Sequence, residues 1–209
     1  MIEITRDGPV TTLTLQRPDK ANALPAELLA CRADAAEGAG DARALILTAA
    51  GKVFSAGMDL EAARDGLATS PVWERLSGAI AAFPGLSIAA LNGTVAGGAM
   101  GMVLACDLRV AVPGARFFYP VMKLGFLPQP SDPARLAALV GPARAKLILM
   151  AGQKIDAGQA LSFGLLDEVV TDGDVLARAH ALAADVVAAD PAHAQAINAL
   201  CTDPDHMPQ

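Results

Sequence analysis

Residues 76–106 carry no charge, and that run constrains the fold more than any other stretch of the 209-residue chain. It is long enough to cross a bilayer, and Gly93, Gly97 and Gly101 even have the spacing of a transmembrane helix-pairing motif. Turn chemistry argues otherwise. Pro84-Gly85 and Asn92-Gly93 cut the run into short pieces, and no cluster of Lys or Arg marks a cytoplasmic flank. What remains is a buried core of strand, turn and short helix, so no membrane partner is expected.

Within the run, Leu91–Cys106 (LNGTVAGGAMGMVLAC) reads as a short strand, a tight turn at Asn92-Gly93, and the pair Gly97-Gly98 opening an apolar helix. Glycine lets another group approach the backbone, and the first N–H groups of a helix lack partners inside it. They lie at the positive end of the helix dipole and suit an oxygen carrying negative charge. Close helix–strand packing is the plainer reading of the same glycines.

Elsewhere the chain alternates strands with helices. Ile2–Thr5 and Val10–Gln16 alternate in period two around Asp7-Gly8 and read as a hairpin. A helix starts near Pro25, with Leu24, Leu28, Leu29 and Cys31 on its apolar face. Ala44–Thr48 suits a strand covered on both faces, and Asp65–Ser70 a mobile loop. Leu86–Leu91, Asp107–Val112, Ala115–Tyr119 and Glu168–Val170 are further strands. Beyond Pro120 come turns, then helices over Pro133–Leu139, Pro142–Met150, Asp156–Phe163, Asp174–Ala189 and Pro191–Leu200. This pattern predicts an α/β fold: one domain over 1–200, with a core to about 140, a helical part over 141–200, and a polar tail over 201–209.

Composition excludes several functions. A net charge of -6 argues against nucleic acid. Cys31, Cys106 and Cys201 are scattered without metal-ligand spacing and read as reduced thiols of a cytoplasmic protein. The first residues, MIEITRDGPV, do not look like a signal peptide. His180, His193 and His206 lie away from the glycine motifs, so no metal site is expected. No P-loop lysine or GxGxxG accompanies the glycines.

Six strings in order resemble the crotonase superfamily, the enoyl-CoA hydratase/isomerase group. They are RPDKANAL (17–24), FSAGMDL (54–60), LNGTVAGGAMG (91–101), ACDLRVA (105–111), FYPVMKLGFLP (118–128) and AGQKIDAGQALSFGLLDEVV (151–170). The resemblance implies a crotonase-like (ClpP/crotonase) spiral of ββα units with a short helical C-terminal region. It implies an acyl-CoA thioester substrate, no cofactor beyond the CoA moiety, and a homotrimer or hexamer. It also implies that the N–H groups of Met58 and Gly98 hold the thioester oxygen; such aimed donors contribute about 3–4 kcal/mol to the transition state. By the same resemblance Lys20, Ala23 and Leu24 line the pantetheine and phosphate path. The Ala56 carbonyl receives the adenine amino group, and Gly57 and Gly97 flank the two amides. Lys52 and Arg64 are further cations for the phosphates.

The sequence departs from the family's pattern at its acid/base groups. The hydratases use two glutamates; at the matching positions stand Gly101 and Val121, neither of which can carry a proton. Asp132, in Pro130-Ser131-Asp132-Pro133, is the remaining candidate acid, although Asp before Pro is also a favoured helix N-cap. Tyr119 is a core aromatic or a hydrogen-bond donor to an acyl group. Asp59 reads as a helix cap, and Glu61 and Asp65 as solvated surface or pocket residues. Typical members continue beyond residue 200, which leaves the adenine-diphosphate end less enclosed. Two functions follow: an acyl-CoA enzyme stabilising a thioester enolate, with hydration in doubt, or a non-catalytic acyl-CoA binder or assembly protein on the same scaffold.

Overall fold

The computed structural model describes residues 2–59, 62, 66–172 and 174–202. Strands β1 (Ile2–Asp7) and β2 (Val10–Leu15) form the expected antiparallel hairpin, with Ile2 opposite Leu15. The chain then crosses through α1 (Ala26–Glu37) to β3 (Ala44–Ala49), which lies parallel to β2. From there one pattern recurs: a strand in a first sheet, a short strand in a second, then a helix. β3 is followed by β4 (Val53–Ser55) and α2 (Val72–Ala81). β5 (Leu86–Leu91) is followed by β6 (Thr94–Ala96) and α3 (Ala99–Leu104). β7 (Leu108–Ala111) is followed by β8 (Arg116–Phe118) and α4 (Val121–Leu124).

Helices α5 (Asp132–Val140) and α6 (Pro142–Leu149), strand β9 (Ile155–Asp156), α7 (Ala157–Phe163) and β10 (Glu168–Val169) follow. The six-stranded sheet runs β1-β2-β3-β5-β7-β10, and the four-stranded sheet β4-β6-β8-β9. Both are mixed: β1–β2 and β8–β9 are antiparallel and the other pairs parallel.

The inner strands β3 and β5 of the large sheet are buried on both faces, which is why they read as largely apolar runs, whereas the edge strand β1 is mostly exposed. Leu45, Leu47, Ala89 and Leu91 face the core shared with α1, α2 and α3. Ala44, Ile46, Ile88 and Ala90 face the opposite side, where α8 (Val175–Leu182) covers them with Val175 and Ala179. The buried Arg109 joins the end of β7 to the loop before β10, donating to the carbonyls of Cys106 and Leu165 and pairing with Asp167 at 3.3 Å.

Several expectations are corrected. Cys31 is exposed, so it does not belong to the apolar face of α1. The turns expected after Pro120 include α4, started by proline and stopped at Gly125, whose φ is 72°. The helix expected over 174–189 is two, α8 and α9 (Ala184–Ala188), separated at the fully buried Ala183. The segment expected to be a mobile loop is tied down: Leu67 is buried in a 3-10 turn, and its carbonyl accepts the Trp73 indole N–H at 2.9 Å. α10 (Pro191–Thr202) is the last described element.

Candidate active site

Asn22 organises the first of two loops that meet at the site. Ala21 and Asn22 both have positive φ, and the Asn22 amide donates to the carbonyls of Ala50 (2.9 Å) and Val53 (2.8 Å). Its Oδ1 accepts from the Arg17 amide, and its backbone carbonyl accepts from Ser55 Oγ, both at 2.8 Å. This turn lays Leu24 parallel to Met58. Leu24 N donates to Gly57 O at 2.8 Å and Asp59 N to Leu24 O at 3.1 Å. In such a bridge the N–H of the intervening residue, Met58, points to the other side.

Arg17 pairs with the Asp59 carboxylate through Oδ2 at 2.7 Å. The helix it was expected to cap, together with Glu61, Arg64 and Asp65, lies outside the described residues.

The second loop, Ala96–Gly98, packs directly against the first. Gly57 has φ 90°, and a Cβ there would stand 2.6 Å from Ala96 O and 3.4 Å from Gly97 Cα. No residue but glycine fits that contact without moving backbone. Gly97, at φ 55°, donates to Phe118 O at 3.0 Å and turns the chain into α3. A Cβ on Gly98 would lie 3.0 Å from the Trp73 ring, so that indole stands directly over the helix entrance. Neither the Met58 nor the Gly98 N–H donates to an acceptor among the described residues.

Met58, Gly97 and Gly98 line one cleft of about 120 Å³ with Trp73, Tyr119 and Val121. Among the described residues that line it none carries a charged side chain, and Leu124, Phe126 and Leu127 form an apolar lip. A larger groove of about 610 Å³ runs between α10 and the loop around Gly85, but it shares no residue with the glycine loops.

Behind the cleft wall lies a buried polar pair. Tyr119 Oη donates to Asp132 Oδ2 at 2.9 Å and accepts from the Gln129 amide at 3.3 Å. Asp132 is 1% exposed, and its Oδ1 has no partner. Burial pushes this carboxyl up to about 7; Glu74 adds to the rise, while the Tyr119 hydrogen bond and Arg135 oppose it. Burial, with Asp132 beside it, likewise raises the Tyr119 phenol. The N-cap reading of Asp132 is therefore corrected. Ser131 precedes the helix, and the Asp132 carboxylate turns inward to Tyr119 rather than onto the helix amides. It fits there because Gly101 faces it: a Cβ on Gly101 would meet Asp132 Oδ1 at 2.8 Å.

The enoyl-CoA hydratase/isomerase family model matches residues 5–205. The chain belongs to that family. A Mycobacterium tuberculosis relative described as "Probable enoyl-CoA hydratase echA6" is 36% identical over 188 residues, covering 89% of this chain and 76% of the relative. The carnitinyl-CoA dehydratase of Salmonella enteritidis is 34% identical over 217 residues, covering 99% and 82%. An enoyl-CoA hydratase/isomerase structure from Pseudoalteromonas atlantica superposes with a TM-score of 0.89 at 32% identity, covering 96% and 82%. The two mixed sheets wound by ββα turns are thus the crotonase fold.

On this enoyl-CoA hydratase/isomerase scaffold the site residues read from the sequence fall into three groups. Ala56, Met58, Gly97 and Gly98 line the cleft. Ala23, Leu24 and Gly57 lie behind it and fix its first loop. Lys20, in the turn Pro18–Lys20, and Lys52 are exposed and line no part of the cleft. Sequence reasoning missed Asn22, Trp73 and Gln129. Asn22 alone left a signal, since asparagine tolerates the left-handed conformation better than other residues. Among the described residues no three His, Cys, Asp or Glu side chains gather as metal ligands, and no helix is long and apolar enough to cross a membrane.

Proposed function

We propose that the protein acts on acyl-CoA thioesters, with the thioester oxygen held by the N–H groups of Met58 and Gly98. The observation that carries this reading is the pair of unengaged amides, on residues of two loops locked together at Gly57 that line one cleft with no charged side chain among its described residues. An oxygen that gains charge as an enolate forms would find fixed donors there and little water to compete with them. Main-chain donors need no particular side chain, so methionine at 58 is no obstacle. Lys20 and the 23–24 segment would follow the pantetheine and its phosphates, and Ala56, exposed at the cleft edge, would offer its carbonyl to the adenine.

Hydration by the family's usual pair of glutamates is not part of the proposal, because Gly101 and Val121 stand where the resemblance puts them. Asp132 is a buried carboxyl group beside the cleft that can hold a proton. Gly101 and Val121 at the acid/base positions support a second reading as well, an acyl-CoA binder without turnover. Incubation with enoyl-, malonyl- and saturated acyl-CoA thioesters, alongside calorimetric titration of each, separates the two. Turnover of any one supports the enzyme. Binding of all without turnover supports the binder, and no binding overturns both. A homotrimer or hexamer belongs to the same reading, with the exposed Leu147 and Met150 near the end of α6 as contact candidates. Sedimentation velocity tests it.

A further inference from the structure

We propose that Tyr119 carries protons between a substrate in the cleft and Asp132, so that the phenol is the catalytic residue and the aspartate the proton store behind it. This rests on the acyl-thioester reading. Asp132 does not line the cleft and is sealed from solvent, so it cannot itself touch a substrate carbon. Tyr119 does line the cleft, and its hydroxyl is already committed as donor to Asp132 Oδ2 at 2.9 Å. The Gln129 N–H, donating at 3.3 Å, holds the phenol oxygen from another side, and Gln129 Nε2 is anchored on Ala68 O at 3.2 Å.

The carboxyl group also keeps one oxygen uncommitted: Oδ1 has no partner, and it stands in the space that Gly101 leaves by lacking a side chain. Two other ionisable groups act on Asp132: Glu74 on α2, which accepts from the Ser131 amide and hydroxyl, and Arg135 on the same helix as Asp132. Glu74 favours the neutral acid, and Arg135 and the phenol hydrogen bond favour the carboxylate. The outcome, a carboxyl near 7, keeps both forms populated at neutral pH.

The step balances as follows. The substrate's α-C–H bond breaks, its electron pair moves into the thioester as an enolate, and the proton goes to the Tyr119 oxygen. In the same motion the Tyr119 O–H bond breaks and that proton passes to Asp132 Oδ2, which ends as the neutral acid. Run backwards, the pair returns a proton to the enolate carbon. No oxidant, metal or water enters.

The test is exchange of α-hydrogens of butyryl-CoA for deuterium, followed by mass spectrometry, with binding measured by calorimetry. The wild-type protein is expected to exchange, with a rate that rises with pH and levels off near 7. Tyr119→Phe and Asp132→Asn should each lower exchange about 100-fold or more, the low end of what a positioned acid/base contributes, while Kd changes less than threefold. Tyr119 is the sole tyrosine, so growth on 3-fluorotyrosine labels this phenol alone. The more acidic ring should alter the exchange rate, which a purely structural role would not, and this measurement stands even if Tyr119→Phe fails to fold. Wild-type binding without exchange, exchange in Tyr119→Phe within threefold of wild type, or an unaltered rate in the fluorinated protein overturns the relay and leaves the acyl-thioester site standing. Absence of butyryl-CoA binding overturns both.

Discussion

A side-chain carbon on Gly101 would lie 2.8 Å from Asp132 Oδ1 and 3.2 Å from Oδ2, so the carboxyl group of α5 fills the space that α3 leaves by carrying glycine. The two positions are one steric unit. Gly101→Ala should therefore destabilise the fold by about 1–3 kcal/mol through overpacking, and Gly101→Ala with Asp132→Ala should recover most of that loss. Urea unfolding of the single and double variants measures the coupling.

The same contact bears on placing glutamates at the two positions where the resemblance would put them. Gly101→Glu with Val121→Glu is expected to give no hydration of crotonyl-CoA, because the first new side chain has nowhere to go. Adding Asp132→Ser should open the space and allow activity to appear. Equal activity in the double and triple variants would mean that the aspartate does not obstruct the position.

Asp132 also makes stability depend on pH. Its carboxyl is near 7 in the folded chain, above the ordinary value of 3.8, chiefly because of burial. Between those values the folded chain keeps a proton that the unfolded chain releases, so stability falls as pH rises through that window and this contribution is constant above it. The loss is of the order of 1–4 kcal/mol. Asp132→Asn removes it. The urea midpoint of the variant relative to wild type should therefore be higher at pH 8 than at pH 5.

The loop junction makes a sharper test of the cleft. Gly57→Ala must both adopt φ near 90° and push its Cβ into Ala96 O. Acyl-CoA affinity should drop at least tenfold, with a stability loss of about 2–4 kcal/mol. Gly66, also at positive φ but with open space around it, is the control: Gly66→Ala should cost about 1 kcal/mol and leave affinity unchanged.

The apolar lip sets a chain-length dependence. Leu127 is 88% exposed, and a bound apolar group would cover it. At about 0.8 kcal/mol per buried methylene, Leu127→Ser should weaken octanoyl-CoA roughly 5- to 20-fold and acetyl-CoA less than twofold. Calorimetric titration of the two thioesters against both proteins gives the comparison.

Much of this molecule was legible before any coordinates, but unevenly. β2 announces itself by its alternation, β3 and β5 because burial on both faces favours largely apolar residues, and α7 because Asp156 and Gln159 close a capping box. β6 and β9, three and two residues long, carry no such pattern; they exist because neighbouring strands pair with them. The glycine loops were readable as a place of close approach, since glycine is the residue such contacts require. That Gly57 meets Ala96 was not readable, nor that Trp73 stands over Gly98. Asp132 misled for the same reason. Its neighbours in sequence describe a helix start, whereas its hydrogen-bond partner lies on β8's flank and its space comes from Gly101 in α3. Local chemistry fixes local structure, and the fate of a buried carboxyl is decided by residues far away in the chain.

The junction between Gly57 and Ala96 is main chain against main chain. The side chains around the opening, such as those of Met58, Trp73 and Val121, can be exchanged. Substitution at those places can change which molecules enter and what becomes of them, while the spacing of the two loops is inherited intact through a single unsubstitutable residue.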